Sequence, residues 1–247
     1  MVRLDPMPLI EARNLPRHVG IIMDGNGRWA ERRGEDRSAG HRAGSRAVRR
    51  IVRLSRRVGL DALTLYAFSF QNWARPGDEV DALMTLLQEY LFSEKEELLG
   101  NGIRLAAVGE LDDLPAEVRT LLDAVRRASA HNTRMTLTLA LSYGGQEEIA
   151  AAARQLAREA ARGTLDPERI DAKLFASRIP SLAVGTPDLI VRTGGEQRLS
   201  NFLLYGSAYA ELFFSDRLWP DFTEDDLFEA IASYQGRQRR FGKVVGA

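Results

Sequence analysis

Between His18 and Trp29 the chain reads His-Val-Gly-Ile-Ile-Met-Asp-Gly-Asn-Gly-Arg-Trp. Asp24 stands where an apolar run stops, and Arg28 brings a guanidinium four residues later. Between them Gly25, Asn26 and Gly27 let the backbone come close to a ligand. Exposed N–H groups at a helix start, a planar cationic fork and an oxygen donor able to hold a metal suit a diphosphate. Asp-Gly and Asn-Gly are also strong hairpin dipeptides, so a tight β-turn is the competing reading. Against the hairpin, the residues after Trp29 are charged and helix-prone and show no alternating second strand.

Two further clusters have the same character. One is Ser69-Phe70-Gln71-Asn72-Trp73-Ala74-Arg75, and the other runs from Arg192 through Thr193, Gly194, Gly195, Glu196, Gln197, Arg198 and Leu199 to Ser200. Each offers arginine with small hydrogen-bonding groups. What must position them is an alternation of strands and helices. Strands are predicted at Val19–Met23, Ala62–Phe70, Ile103–Val108, Met135–Leu141, Leu189–Val191 and Ala210–Phe214. Helices are predicted at His41–Val58, Glu79–Leu99 (one or two), Pro115–Ala130, Glu147–Arg162, Pro167–Ser177 and Glu224–Tyr234. That order predicts one α/β domain with a mostly parallel sheet covered on both faces. Ligands of such sheets bind beyond the carboxyl ends of the strands. All three clusters fall at such ends, which suggests two anionic ligands side by side.

Composition narrows the rest. The 247 residues carry 34 basic and 34 acidic side chains, so no global field points to nucleic acid. Cysteine is absent, which excludes disulfides, thiolate metal sites and cysteine nucleophiles. No apolar run approaches the roughly 18 residues of a membrane span, and residues 1–17 have no signal-peptide core. A soluble, cytoplasmic protein is expected, with an N-terminal segment of residues 1–17 ahead of a domain over 18–242. Seven arginines on the 41–58 helix (Arg42, Arg46, Arg49, Arg50, Arg53, Arg56, Arg57) read as a solvated face, with a polyanion patch as the alternative.

The clusters together resemble the cis-prenyltransferase family, whose bacterial members include undecaprenyl diphosphate synthases. The resemblance rests on Asp24-Gly25-Asn26-Gly27-Arg28-Trp29, Gly40-His41, Phe68-Ser69 with Asn72-Trp73 and Arg75-Pro76, Arg192 to Glu196, Arg198 to Phe202, and Ala208-Tyr209-Ala210-Glu211-Leu212. It covers about His18 to Gly242, in order. It implies a six-stranded mostly parallel sheet with about seven helices, in a homodimer. It also implies repeated addition of isopentenyl diphosphate to an allylic diphosphate primer, farnesyl diphosphate by analogy, each new double bond being cis. By similarity Gly25 to Arg28, Arg37 and His41 hold the allylic diphosphate, with Trp29, Phe70, Gln71 and Arg75 in the substrate region. Arg192, Arg198, Leu199 and Ser200 fall to isopentenyl diphosphate. Asp24 and Glu211 manage Mg²⁺, and Asn72 assists proton removal with Ser69 and Trp73 nearby. The charged end Arg237-Gln238-Arg239-Arg240-Phe241-Gly242 reads as a flexible tail, while the resemblance implies that Arg240 and Gly242 reach the partner's active site. Release of a long polyprenyl product implies transient membrane contact.

The chemistry agrees with that implication, because fixed N–H donors, arginines and Mg²⁺ stabilise a departing diphosphate. Mg²⁺ commonly takes one or two carboxylates plus phosphate oxygens, so a lone Asp24 suffices. The all-trans alternative fails, since neither Asp112-Asp113 nor Asp225-Asp226 is followed by the later aspartate its motifs need. Some positions depart from the family. Phe70-Gln71 replace a common Ser-Glu pair, Gln197 stands where some members have histidine, and Gln146-Glu147 replace an arginine and an aromatic. Other readings are a non-catalytic partner subunit of the same fold, a shorter-chain synthase and a phosphohydrolase. Product length is read from Ala67. Alternation puts Leu63, Leu65, Ala67 and Ser69 on one strand face, opposite Thr64, Tyr66 and Phe68. The resemblance puts Ser69 at the substrate and links a bulky side chain at the position of Ala67 to short products, so a small Ala67 implies a long one, about eleven isoprene units by analogy.

Overall fold

The five residues His18–Ile22 form β1, every one of them buried, and the other elements are arranged about it. The computed structural model describes residues 14–237, so the expectations placed on Arg240 and Gly242 lie outside the described residues. In chain order there follow α1 (Asn26–Glu31), α2 (Arg37–Val58), β2 (Ala62–Ser69), α3 (Gly77–Gly100), β3 (Ile103–Val108), α4 (Ala116–Ala128), β4 (Met135–Tyr143), α5 (Gly145–Ala161), α6 (Ala172–Ala176), β5 (Leu189–Arg192), β6 (Glu211–Phe214) and α7 (Glu224–Gln235). The strands form one sheet in the order β3-β4-β2-β1-β5-β6. All its pairings are parallel, beyond the mostly parallel sheet expected. β1 has β2 on one side and β5 on the other, so the strand order reverses there and opens a crevice at the carboxyl ends of β1 and β5.

Alternation along the strands gives the sheet two buried faces. Val19, Ile21, Leu63, Leu65, Leu137, Leu139 and Val191 enter the larger core beneath α2, α3, α4 and α7. Ile22, Ala140, Ile190, Phe202 and Leu203 make the smaller one. β2 breaks the alternation. Its register against β4 shifts between Tyr66 and Phe68 and again before Ser69. This bulge corrects one expectation: Phe68 joins the same core cluster that Ala67 packs against, instead of facing away from it.

α2 begins four residues earlier than its hydrophobic stripe suggests, because small residues set its first turns. A Cβ at Gly40 would stand 2.0 Å from the Asn26 carbonyl, and one at Gly44 2.2 Å from Asn26 Oδ1. The two glycines therefore let α2 lie directly on α1, which outweighs their poor helix propensity. The arginines of α2 are not an idle solvated face. Arg49 pairs with Glu94 at 2.7 Å, Arg53 with Glu97, and Arg56 donates to the Asn101 carbonyl, all on α3 or just past it. Arg50 donates to the Pro220 and Phe222 carbonyls, and Arg57 pairs with Glu224. Elsewhere the expected helix 167–177 divides into a 3₁₀ turn, Pro167–Arg169, and the short α6. Asp166 and Asp171 each accept from a backbone N–H two or three residues on, and so start two separate turns.

Candidate active site

Past the end of β1 the chain turns sharply, with Asp24 N–H donating to the Ile22 carbonyl at 3.0 Å. Gly25 follows at φ +107°, where only glycine is unstrained, and α1 starts at Asn26. The hairpin alternative is thereby displaced by a strand, a turn and a helix. Asp24 is lodged in the crevice between β1 and β5. Its Oδ2 accepts from Arg192 Nη2 at 2.8 Å, and its Oδ1 lies 3.1 Å from Arg28 Nη2. Arg192 closes β5 and is only 4% exposed, so it depends on this carboxylate for countercharge. Arg192 Nη1 donates to Ser200 Oγ at 2.6 Å and to the Arg198 carbonyl, while its buried Nε has no protein partner. Arg28 Nη1 donates to the Gly194 carbonyl at 2.7 Å, and Thr193 Oγ1 to the Asp24 carbonyl at 2.8 Å. Asp24, Arg28, Arg192 and Ser200 are thus gathered from two separate sequence clusters.

A second charged centre lies at the start of α2 and α3, around Glu79. Its carboxylate is 2.7 Å from Arg75 Nη1, 3.2 Å from Arg37 Nε and 3.6 Å from His41 Nε2. The Arg37 guanidinium carbon also lies 2.9 Å from where a Cβ on Gly27 would be, which puts it against the Asp24 loop. Burial alone would raise the Glu79 carboxyl, but Arg75, Arg37 and His41 together hold it below its ordinary value. His41 is pushed down by burial first and then by Arg75, against the pull of Glu79, so it stays neutral near pH 7. Sequence reasoning missed Glu79 and used it only as a helix boundary. The signal available was its i,i+4 spacing from Arg75 across Pro76.

Between the two centres a cavity of about 120 Å³ opens beneath α2 and α3. Asn26 and His41 line its polar side, Leu65, Ala67 and Leu139 its sheet side, and Leu83, Leu87 and Tyr90 its α3 side. Asn26 Oδ1 is buried there without a partner.

The remaining expected residues are more scattered. Ser69 and Asn72 form a reciprocal cap on a 3₁₀ turn, Ser69 N–H donating to Asn72 Oδ1 at 2.9 Å. Trp73 donates to Ser142 Oγ at 2.9 Å and packs edge-on against Phe68. Phe70 and Gln71 are exposed. Trp29 donates to Asp221 Oδ1 at 2.7 Å, with the Arg33 guanidinium stacked 3.8 Å over its ring. Arg198 is exposed and pairs with Glu196, and Leu199 packs against the smaller core. Asp113 accepts from Ser142, and Asp226 caps α7, so the two aspartate pairs have structural partners.

Glu211, the other carboxylate expected at Mg²⁺, lies apart from Asp24 along the sheet of one chain. It opens β6 in register with Leu189 and Val19, whereas Arg192 lies three residues further along in register with Ile22. Asp24 lies beyond that end, so at least about 10 Å of strand rise separates the backbone positions of the two residues within one chain. Glu211 pairs instead with Arg237 at 2.6 Å. Among the described residues no group of three or more histidine or acidic side chains is placed to hold a metal. The donor set at Asp24 still fits Mg²⁺, which needs one carboxylate when diphosphate oxygens complete its shell. The partnerless Arg192 Nε beside it marks the same place as unfinished without an anion.

Comparison with known proteins agrees with this arrangement. Residues 22–242 match the prenyltransferase family model described as "Putative undecaprenyl diphosphate synthase". An isoprenyl transferase of Chlorobaculum tepidum is 49% identical over 93% of this chain and 87% of its own. A ditrans,polycis-undecaprenyl-diphosphate synthase ((2E,6E)-farnesyl-diphosphate specific) of Xanthomonas campestris pv. campestris is 50% identical over 94% and 90%. Among solved structures, lavandulyl diphosphate synthase from Lavandula x intermedia, in complex with dimethylallyl diphosphate, superposes with a TM-score of 0.91. It is 37% identical, over 94% of this chain and all of that one. A probable undecaprenyl diphosphate synthase from Campylobacter jejuni superposes with a TM-score of 0.78 at 30% identity, over 93% of this chain and all of that one. The chain belongs to the undecaprenyl diphosphate synthase family of prenyltransferases.

Proposed function

We propose that this protein condenses isopentenyl diphosphate repeatedly onto an allylic primer, farnesyl diphosphate, to give a long-chain Z-polyprenyl diphosphate of the undecaprenyl type. The observation that carries this reading is two cationic centres at neighbouring strand and helix ends, with an apolar cavity opening between them. Arg28, Arg37 and the amides after Asp24 bind the primer diphosphate, and its prenyl tail enters the cavity past Ala67. Arg192, Arg198 and Ser200 bind the second diphosphate. Holding both reactants in one crevice supplies proximity, and fixed guanidinium groups offset the negative charge that grows on the leaving diphosphate. Mg²⁺, held by Asp24 with diphosphate oxygens, would supply further charge neutralisation. Asn72 has no basic site at neutral pH, and its Oδ1 already accepts from Ser69 N–H. Its part in proton removal is therefore to orient the acceptor. A homodimer belongs to the same reading and is tested by sedimentation.

A second reading, a shorter-chain product, has two observations in its favour. The cavity of about 120 Å³ is below the roughly 300–1,000 Å³ usual for ligand sites, and the lavandulyl diphosphate synthase superposes at 0.91. The test is to incubate the purified protein alone with farnesyl diphosphate, labelled isopentenyl diphosphate and Mg²⁺. Label should pass into organic solvent as a ladder of prenyl products. Phosphate release without growth would make the protein a phosphohydrolase, and no turnover would make it a partner subunit.

A further inference from the structure

The Tyr143-Gly144-Gly145 run takes no part in either charged centre, yet the Ser200 loop is fastened to it. Ser200, Asn201 and Leu203 have φ of +47°, +65° and +45°. Residues with a Cβ avoid that region, asparagine less than most, so neighbouring contacts must hold the loop there. α5 begins at Gly145 with Gly144 as its N-cap and no side-chain cap, leaving first-turn N–H groups in need of acceptors. Asn201 supplies them from far along the sequence. Its carbonyl accepts from Gly145 N–H at 2.7 Å, and its Oδ1 from Gln146 N–H at 2.8 Å. Its Nδ2 donates to Glu147 Oε2 at 2.8 Å. A Cβ on Gly144 would lie 1.9 Å from that Glu147 oxygen and 2.6 Å from Asn201 Nδ2, so glycine is what lets the pair close. The preceding residue is Ser200, whose Oγ receives Arg192 Nη1 and whose carbonyl accepts from Tyr66 OH at 3.3 Å.

We infer that Asn201 is a positioning residue for the second diphosphate subsite, locking the left-handed turn that presents Ser200 and braces Arg192. The inference rests on the functional reading above, in which that subsite takes isopentenyl diphosphate. With the lock in place, Ser200 Oγ and Arg192 meet the ligand already arranged, and binding does not have to order the turn. Without it the loop relaxes toward ordinary φ values and the ligand must restore it. No hydrogen bond or ion pair of the Glu79 centre involves this loop, so primer binding is spared. Glu147 stands where the resemblance leads one to expect an aromatic. Its pairing with Asn201 gives that departure a purpose in this chain.

The test uses Asn201→Asp, which keeps size, tolerance of positive φ and the Oδ1 acceptor, but sets a second carboxylate oxygen against Glu147. Adding Glu147→Gln restores a donor and acceptor in the reverse sense. KM is measured for each substrate in wild type, Arg198→Ala, Asn201→Asp and the Asn201→Asp/Glu147→Gln double variant. Asn201→Asp should raise KM for isopentenyl diphosphate roughly ten-fold and leave the primer's within about two-fold, and the double variant should recover most of the loss. If Asn201→Asp does not fold, Asn201→Gly, which accepts positive φ without the side chain, should show the same selective rise. An unchanged KM, an equal rise for both substrates, or no recovery in the double variant overturns the role of Asn201. If Arg198→Ala leaves KM for isopentenyl diphosphate unchanged in an active enzyme, the subsite reading itself fails. If Arg198→Ala raises it and Asn201→Asp does not, only the positioning role fails.

Discussion

The two charged centres use one carboxylate each, but they hold it differently. Asp24 is carried by the turn after β1 and is gripped by Arg192 from the neighbouring strand and Arg28 from α1. Both strands are hydrogen-bonded in the middle of a parallel sheet, so this centre can shift only if the sheet does. Glu79 is carried by α3, and its cations come from the first turns of α2 and the segment before α3. No strand hydrogen bond fixes them to one another. The sheet-borne centre has one buried arginine that needs its aspartate, whereas the helix-borne one has two arginines and a neutral histidine around a glutamate. In the proposed function the first brings Asp24, Arg28 and Arg192 to the two diphosphates, and the second adds Arg37 to the grip on the primer.

The comparison breaks most visibly at Asp24. Asp24→Asn keeps an acceptor for Arg192 while removing the charge, and should lower kcat by roughly 10²–10⁴, about 3–5 kcal/mol of barrier. Turnover within a few-fold of wild type in a folded variant would remove the metal role. Asp24→Ala should also lose stability, on the order of 1–3 kcal/mol after allowing for partial exposure, because it strands Arg192. Next in size, Glu79→Ala should cost about 1–2 kcal/mol in urea unfolding, since Arg37 and Arg75 remain close together without it. An unaltered midpoint would show that solvent already screens that centre.

Ala67→Leu sharpens the comparison at the cavity between the centres. It should shift products toward shorter chains while leaving the first addition in place, each excluded methylene forfeiting about 0.8 kcal/mol of burial. A product distribution equal to wild type in an active variant would mean that Ala67 only fits a tight sheet–helix contact.

The smallest expected effect is on pH. His18 is held below its ordinary value by burial, and His41 by burial and then Arg75. Folding keeps both neutral, so the stability they contribute is present above the unfolded histidine pKa of about 6.5. It is lost as pH falls from there toward the folded values. The urea midpoint should therefore drop between pH 7.5 and 5.5, and drop less in His18→Gln. Equal pH dependence in that variant would take His18 out of the account.

How far the site could be read from sequence follows from how local each cue is. β3 falls on the predicted residues, and the Asp24 loop emerges as a strand, turn and helix, because both are short-range patterns. Glu79 was hidden because an acidic residue in a first helical turn is ordinary, and only the meeting of α2 with α3 makes it a centre. The spacing of Glu211 from Asp24 was not legible because it depends on strand register, which no single segment encodes. The bulge at Ala67–Phe68 was invisible because two consecutive apolar residues fit either face. Asn201 was quoted within a motif, yet its bonds reach 55 residues back to Gln146.

The central claim is that the two diphosphates have separate sites, Arg37 at one and Arg198 at the other, and equilibrium binding tests it most directly. A non-reactive farnesyl diphosphate analogue and isopentenyl diphosphate are titrated separately, with Mg²⁺, into wild type, Arg37→Ala and Arg198→Ala. Arg198 is preferred to Arg192 because its removal leaves Asp24 paired. Losing one charge-assisted contact costs about 1.5–3 kcal/mol. Arg37→Ala should therefore weaken only the analogue, and Arg198→Ala only isopentenyl diphosphate, by ten-fold or more. Equal weakening of both ligands by both variants would contradict the account and leave one shared anion site in place of two.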